Sequence, residues 1–181
     1  LMFDEVQCGV GRSGTLFAHE HYAIEPDVMA IAKGLGGGFP VGACLANEAV
    51  SSSMQFGSHG STFGGNPLAM AVADAVLDLV LEPSLLKDVN SKASFLVKEL
   101  EALTIKYPQS ISSVHGLGLM LGVKCVGENT KLLLELREHG LLVGKSGDNM
   151  IRLLPPLNVS QAELERALTL IETVLQNTEV T

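Results

Sequence analysis

The feature that most restricts the fold is an order that occurs twice in the first half of the chain: a short apolar segment, a polar residue, then a glycine-rich loop. Leu1 to Val6 contains acidic residues near its end and is followed by the glycines of 9–14. Val28 to Ala32 leads into Lys33 and is followed by the glycines of 34–38. Short apolar segments that are bounded by glycine are typical of buried strands. This half therefore predicts short strands whose ends carry polar side chains.

A helix is predicted from Asn66-Pro67 onward, after a further candidate strand at 41–46 and a polar stretch at 51–65. Asparagine is a favoured N-cap, and proline is favoured at the first helical position. The apolar positions with helical spacing are Leu68, Val72, Ala75, Val76, Leu79 and Val80. We expect Pro83 to end this helix, and composition changes there. A domain boundary is therefore predicted at this proline, between residues 1–82 and 83–181.

The residues after the boundary predict a second mixed unit. Helices are predicted from Ser84 to about Tyr107, from Thr130 to His139 with Gly140 as the stop, and from a capping box at Ser160 to Glu163. Strands are predicted at Leu117 to Val126, Leu141 to Val143 and Met150 to Leu154. The fold class predicted for the whole chain is therefore α/β.

Composition narrows the class of partner. The 181 residues carry a formal net charge of −8 with scattered basic residues, which argues against nucleic acid or a membrane surface as the main partner. No apolar run is long enough to cross a bilayer, and no targeting segment is visible. Cys8, Cys44 and Cys125 have no metal-binding spacing, so reduced thiols in a cytoplasmic compartment are expected. Because the chain begins directly in an apolar run, we also expect that further sequence precedes it.

Lys33 is the first candidate for chemistry. An amine that acts as a nucleophile must be partly deprotonated, and partial burial at the end of an apolar segment favours that state. The glycines that follow would let backbone approach a flat ligand closely. Taken alone, this spacing is better explained by a surface lysine at a strand end.

Other polar residues suit the parts of an anionic aromatic ligand. Asp4 could hold a pyridinium N–H, and Gln7 could donate to a phenolic oxygen. The hydroxyls of Ser61 and Thr62 lie shortly before a helix start, where phosphate binds favourably. Arg152 lies inside an apolar strand and could bind a carboxylate through two hydrogen bonds. Each residue is explained at least as well by a solvated strand end, a polar loop or a structural ion pair.

Two patterns point to other sites. Gly9 to Gly14 matches a dinucleotide-binding loop, which also needs a helix that opens at once and an acidic residue about twenty residues on. The following residues are not clearly helical and Asp27 lies too near, but an NAD-binding oxidoreductase stays open as an alternative. The segment 19–21, His-Glu-His, lacks the spacing of a zinc motif, so no metal site is predicted.

In this order, the motifs resemble those of the class III aminotransferases, the ornithine and acetylornithine group. The similar segments are DEVQ at 4–7 with GRSG at 11–14, AKGLGGG at 32–38, HGSTFGGNP at 59–67, GLGLMLG at 116–122 and RLLPPL at 152–157. The resemblance implies fold type I of the pyridoxal-phosphate enzymes. Residues 1–82 would be the C-terminal portion of the large cofactor domain, and 83–181 would be the small α/β C-terminal domain.

The resemblance also implies a role for each residue that touches the cofactor ring. Lys33 would be the Schiff-base lysine and would move a proton between the substrate Cα and C4′ of pyridoxal phosphate. Asp4 would hold the pyridinium nitrogen. Val6 would pack on a ring face, and Gln7 would bond to the phenolic oxygen.

The remaining implied roles concern phosphate, substrate and partner subunit. Ser61 and Thr62 would bind phosphate, with Thr62 reaching the cofactor of the neighbouring subunit in a homodimer. Arg152 would hold a substrate carboxylate. The reaction implied moves an amino group between N-acetylornithine and 2-oxoglutarate in arginine biosynthesis; ornithine, succinylornithine, succinyldiaminopimelate and 4-aminobutyrate are the alternative amino donors.

The sequence departs from the family in two ways. The sequence lacks the upstream half of the family's large domain, which would supply a second phosphate loop, a ring-stacking aromatic residue and a further arginine. We therefore expect this chain alone to be inactive and to bind cofactor poorly. His115 stands where arginine is expected. A non-catalytic remnant that serves as a binding or dimer-forming module is therefore a further alternative.

Overall fold

The computed structural model describes residues 1–179, which form two compact units divided between Leu86 and Lys87. The first unit contains strands β1 (Met2–Asp4), β2 (Val28–Ile31) and β3 (Ala43–Ala46), and helices α1 (Glu48–Ser51) and α2 (Pro67–Val80). The second contains most of α3 (Pro83–Lys106), then β4 (Ile111–Leu117), β5 (Met120–Cys125), α4 (Asn129–Glu138), β6 (Gly144–Ser146), β7 (Met150–Leu153) and α5 (Gln161–Glu179). No helix within residues 1–179 is long and apolar enough to cross a membrane. The predicted α/β class is confirmed.

The sheet of the first unit has the order β1-β2-β3, with β1 and β2 parallel and β3 antiparallel to β2. Strand β1 ends at Asp4, two residues before the predicted end, because the chain turns after Glu5 donates its backbone N–H to the Ala30 carbonyl (2.9 Å). Its small core joins a loop residue, Val10, to residues of β2 and α2.

Helix α2 begins as predicted, with the Asn66 side chain accepting a hydrogen bond from the Ala69 N–H (2.9 Å) and Pro67 in the first position. Its predicted buried face is partly wrong. Leu68 and Leu79 are 62% and 66% exposed, whereas Ala69 and Ala73 are buried. The helix is apolar around most of its circumference, so spacing alone does not select the buried face. Pro83 does not end α2 but begins the next helix, α3.

The second unit packs its helices on one face of an antiparallel sheet of order β4-β5-β7-β6. Strand residues that alternate along β5 and β7 are buried against residues of α3, α4 and α5. The fully buried side chains of this core include Leu100, Leu121, Leu136, Ile151 and Leu175. The alternate positions Gly122, Lys124 and Arg152 point to the opposite face and are only partly buried.

Two strand predictions in this unit are wrong. The segment from Leu117 to Val126 is not one strand, because Leu117 ends β4 and β5 follows after a tight turn. Strand β4 was missed because its serines and His115 weaken the apolar signal. Residues 141–143 are not in a strand, and β6 lies just after them at 144–146.

Local stop and start signals in the second unit are confirmed. Gly140 follows α4 with a φ of 86°, a conformation that glycine adopts without strain. The Ser160 backbone N–H donates to the Glu163 carboxylate (2.7 Å), and the Glu163 N–H donates to the Ser160 Oγ (3.2 Å). This reciprocal pair is the predicted capping box, and it starts α5.

Candidate functional site

Asp4 and Lys33 lie at the same edge of the first sheet. Asp4 is the last residue of β1 and is paired with Ala30 of the parallel strand β2. Lys33 follows the end of β2 by two residues. Carboxyl ends of neighbouring parallel strands form the usual ligand-binding edge of an open α/β sheet. The fold thus brings a carboxylate and an amine, which are distant in sequence, to one edge.

Lys33 has an unusual backbone conformation and an exposed side chain. Its φ is 44°, in the left-handed region, where a residue other than glycine costs about 1–3 kcal/mol and tends to mark a functional site. The predicted partial burial of the lysine is not found in the first unit. Burial at this strand end instead goes to Ile31 and Leu35, which are 7% and 4% exposed.

The glycines beside the lysine permit close packing. A Cβ atom added to Gly34 would lie 3.2 Å from Cβ of Val10, and one added to Gly37 would lie 3.0 Å from Cγ2 of Val76. Gly37 also has a φ of 55°, which strains any other residue. The lysine loop therefore rests on the neighbouring glycine-rich loop and on α2, and its position is fixed by both.

Asp4 is exposed and accepts a hydrogen bond from the Val6 N–H (3.0 Å). This bond belongs to the turn that begins after β1, and both Val6 and Gln7 lie in that turn, half-buried. The apolar segment predicted at 1–6 would have placed Gln7 directly after an extended strand, but the strand has already ended at Asp4. Its place beside Asp4 is set by the turn.

Glu5 is an anchoring residue that the sequence did not single out. Its carboxylate is buried, and it accepts hydrogen bonds from the N–H groups of Ala18 and His19, both at 2.9 Å. The Cys8 thiol donates to the same carboxylate (3.3 Å). Burial, with a smaller effect of Glu5, raises the pKa of the Cys8 thiol to about 11, so it stays a protonated donor. The sequence did contain a signal for this role, because side chains alternate between the two faces of a strand and one of two adjacent acids is therefore expected to point inward.

Ser61 and Thr62 lie in an exposed stretch before α2. All residues from 51 to 65 are exposed, and no described contact joins these two hydroxyls to Asp4 or Lys33. The structure therefore places the predicted phosphate segment on the surface of the first unit, with the order of the segment and helix as predicted.

Arg152 lies on the face of the second sheet that is opposite the helices, between two glycines. In the strand register it is paired with Gly122 of β5 and with Gly144 of β6. His115, the residue found where arginine was expected, is paired with Gly122 from the other side and is hydrogen-bonded to the Ser113 hydroxyl (2.8 Å). The arginine is half-buried, and a guanidinium can bind an anion such as a carboxylate through two parallel hydrogen bonds.

The patterns that suggested other sites have structural roles. The dinucleotide hypothesis fails because a five-residue 3-10 helix at Ala18–Tyr22 follows Gly14, where a long helix would have to open. The ring nitrogens of His19 and His21 donate to the carbonyls of Ile24 (2.8 Å) and Ser13 (2.9 Å). Within residues 1–179, no group of three or more metal-ligating side chains is found.

The donor set of the first unit fits the ring of pyridoxal phosphate. The fit rests on the sheet edge that Asp4 and Lys33 share. A carboxylate there can accept a hydrogen bond from the pyridinium nitrogen, and an amine there can react with the aldehyde of the cofactor. Gln7 adds an amide in the turn that follows Asp4. The residues present thus match the ring atoms, while the phosphate would depend on the exposed hydroxyl segment.

Comparison with known proteins agrees with this geometry. The family model described as aminotransferase class-III matches residues 1–175. Acetylornithine aminotransferase of Mesorhizobium japonicum is 55% identical over 171 residues, which are 94% of this chain and 43% of that protein. The Brucella melitensis enzyme of the same name is 49% identical over 180 residues, 99% of this chain and 45% of that protein.

Solved structures give the same result. An acetylornithine aminotransferase from Elizabethkingia anophelis aligns with a TM-score of 0.87 and 37% identity, over 96% of this chain and 44% of that one. An ornithine aminotransferase from Toxoplasma gondii aligns with a TM-score of 0.90 and 31% identity, over 99% of this chain and 44% of that one. The chain spans less than half the length of these relatives.

Proposed function

Because the chain belongs to the class-III aminotransferase family, we propose that it is the catalytic-lysine part and C-terminal domain of an enzyme that transfers an amino group between N-acetylornithine and 2-oxoglutarate. The observation that carries the proposal is the common sheet edge of Asp4 and Lys33. Residues 1–82 are assigned to the large domain and 83–181 to the small one. The pathway proposed is arginine biosynthesis, in the cytoplasm.

Enzymes of this family depend on pyridoxal phosphate, which supplies an aldehyde that reacts with amines and a ring that withdraws electrons from the substrate Cα. In this chain, Nζ of Lys33 would hold the cofactor and later carry a proton to and from that Cα. The Asp4 carboxylate would accept a hydrogen bond from the ring nitrogen. Val6 would pack against the ring, and Gln7 would donate to its phenolic oxygen.

The proposal gives the exposed hydroxyl segment a role in a homodimer. Ser61 and Thr62 would donate to phosphate, with Thr62 reaching the site of the second subunit. Their exposure in the first unit is compatible with such a contact. Arg152 would bind the carboxylate of the amino-acid or oxo-acid substrate with two parallel hydrogen bonds.

A second candidate substrate is ornithine, since solved ornithine aminotransferases align with this chain at TM-scores up to 0.90. We rank N-acetylornithine first, because relatives of that name are 55% and 49% identical. Transfer rates with the two amines in parallel, each with 2-oxoglutarate, test this order. A faster reaction with ornithine would reverse it.

Absorbance with added pyridoxal phosphate tests the role of Lys33. We expect a long-wavelength band that Lys33→Ala removes, while Lys98→Ala, at an exposed position of α3, retains it. The intact mass of the same sample identifies the polypeptide. No band at a mass of 181 residues would mean that this chain by itself is not an enzyme, and a band unaffected by Lys33→Ala would refute the assignment of the lysine.

A further inference from the structure

The space beside Arg152 is defined by the two glycines that flank it across the sheet. Residues that face each other across neighbouring strands point to the same side, so Gly122, Arg152 and Gly144 form one row on the face of the second sheet that is opposite the helices. A side chain at either glycine would share that face with the guanidinium. The side chain of Arg152 therefore has a position without a side chain on each side of it.

The guanidinium lies over the glycine of the edge strand β6. A Cβ atom added to Gly144 would lie 3.4 Å from Nε and 3.5 Å from Nη2 of Arg152. On the other side, a Cβ added to Gly122 would lie 3.0 Å from Sδ of Met150. The space over Gly122 is therefore taken by a methionine, and the space over Gly144 is taken by the arginine head group.

We propose that Gly144 is a positioning residue, whose missing side chain sets the orientation in which Arg152 presents its nitrogens to a carboxylate. This inference rests on the proposed function of Arg152. Bidentate binding needs both nitrogens in the plane of the carboxylate, so a shift of the guanidinium weakens it. An alanine methyl at position 144 would only touch Nε and Nη2, at ordinary contact distances of 3.4 and 3.5 Å. The further carbons of valine would need the space that the guanidinium fills, and Met150 would oppose a shift toward Gly122.

Glutarate is the probe for this inference, because it is an unreactive dicarboxylate with the carbon chain of 2-oxoglutarate. Its Kd is measured by calorimetry on the full-length protein loaded with cofactor, for Gly144→Ala and Gly144→Val. We expect Kd to rise about tenfold for valine and to stay within about twofold for alanine, because only valine moves the guanidinium and small misplacements of a binding group weaken binding steeply. We also expect KM for 2-oxoglutarate to rise in parallel, with kcat reduced less than KM is raised.

Gly147 provides a matched control. It lies in the turn between β6 and β7, its backbone is not left-handed, and an added Cβ meets no atom within 4 Å. We expect Gly147→Val to leave the Kd of glutarate within about twofold, as for most exposed substitutions. Circular dichroism and thermal unfolding of all variants show whether the fold is retained.

The background variant Arg152→Gln separates the two proposals. If it leaves glutarate binding unchanged, the proposed role of Arg152 is wrong and the inference falls with it. If it weakens binding and Gly144→Val does not, only the role of Gly144 is overturned. We expect Gly144→Val to have little additional effect when combined with Arg152→Gln, since residues that act through one another are not additive. An undiminished effect in the double variant would contradict the inference.

Discussion

The two units differ in what holds them together. The second has a continuous apolar core in which leucines such as Leu100, Leu136 and Leu175 are wholly buried. The first has a smaller core, its strand β3 is exposed along its length, and its loops are tied by the buried carboxylate of Glu5. Most residues proposed for chemistry belong to the first unit. Stability and reactivity are thus unequally divided along the chain.

Separate expression of the two halves tests the difference in stability between the units, and we expect it to give the largest effect. We expect residues 83–181 to unfold cooperatively in urea, because their core is complete within the unit. Residues 1–82 are expected to show no cooperative transition, because too little apolar surface is buried to offset chain entropy. Far-UV circular dichroism across a urea titration measures both. Cooperative unfolding of residues 1–82 alone would show that the polar ties and the small core suffice.

Glu5→Ala sharpens the comparison within the first unit. The change leaves the buried N–H groups of Ala18 and His19 without their acceptor, which costs about 1–3 kcal/mol for each unsatisfied donor. We expect both amides to exchange faster with deuterated water. Asp4→Asn is the matched control, since the carboxylate of this adjacent acid accepts from the Val6 N–H and, among the described residues, is not bonded to Ala18 or His19. Equal exchange at Ala18 and His19 in all three proteins would remove the anchoring role of Glu5.

Ser160→Ala should have a smaller effect on the second unit. Loss of an N-cap hydroxyl costs about 1 kcal/mol of unfolding free energy, measured by urea denaturation at neutral pH. Hydrogen bonds from Ser160 lower the pKa of Glu163 below its ordinary value of 4.5. A lowered carboxyl pKa stabilises the folded state above the ordinary value, and this part is lost as the pH falls.

The difference between Ser160→Ala and the native protein should therefore shrink below pH 4.5. Ser94→Ala is a suitable control, because the Ser94 hydroxyl donates to a carbonyl within α3 and touches no titrating group in that bond. A difference that grows with acid would contradict the capping-box account.

The sequence predicted correctly those features that depend on a few adjacent residues, and it missed those that depend on residues far apart in the chain. The start of α2 at Asn66-Pro67, the capping box at Ser160 and the stop at Gly140 each depend on a few adjacent residues, and all were predicted correctly. Strand β4 and the shift of β6 depend on pairing with distant residues, so no local pattern encoded them. The buried face of α2 was also ambiguous, because the helix is apolar on more than one side.

The candidate site shows the same limit. Motif order marked Asp4, Lys33, Ser61 and Arg152 as residues of interest, but each pattern alone had an ordinary structural explanation. The parallel pairing of β1 with β2 joins the first two at one edge, which no spacing could reveal. Only the structure shows that Glu5 is a buried acceptor while Asp4 is exposed, and that Arg152 lies across from Gly144.

The left-handed backbone of Lys33 separates the amine from the fold. Glycine would remove the steric cost of a side chain at a φ of 44°, although it loses more conformational entropy on folding. Loss of the amine therefore need not be accompanied by loss of the fold, and a folded chain of this kind is not by itself evidence of a working site.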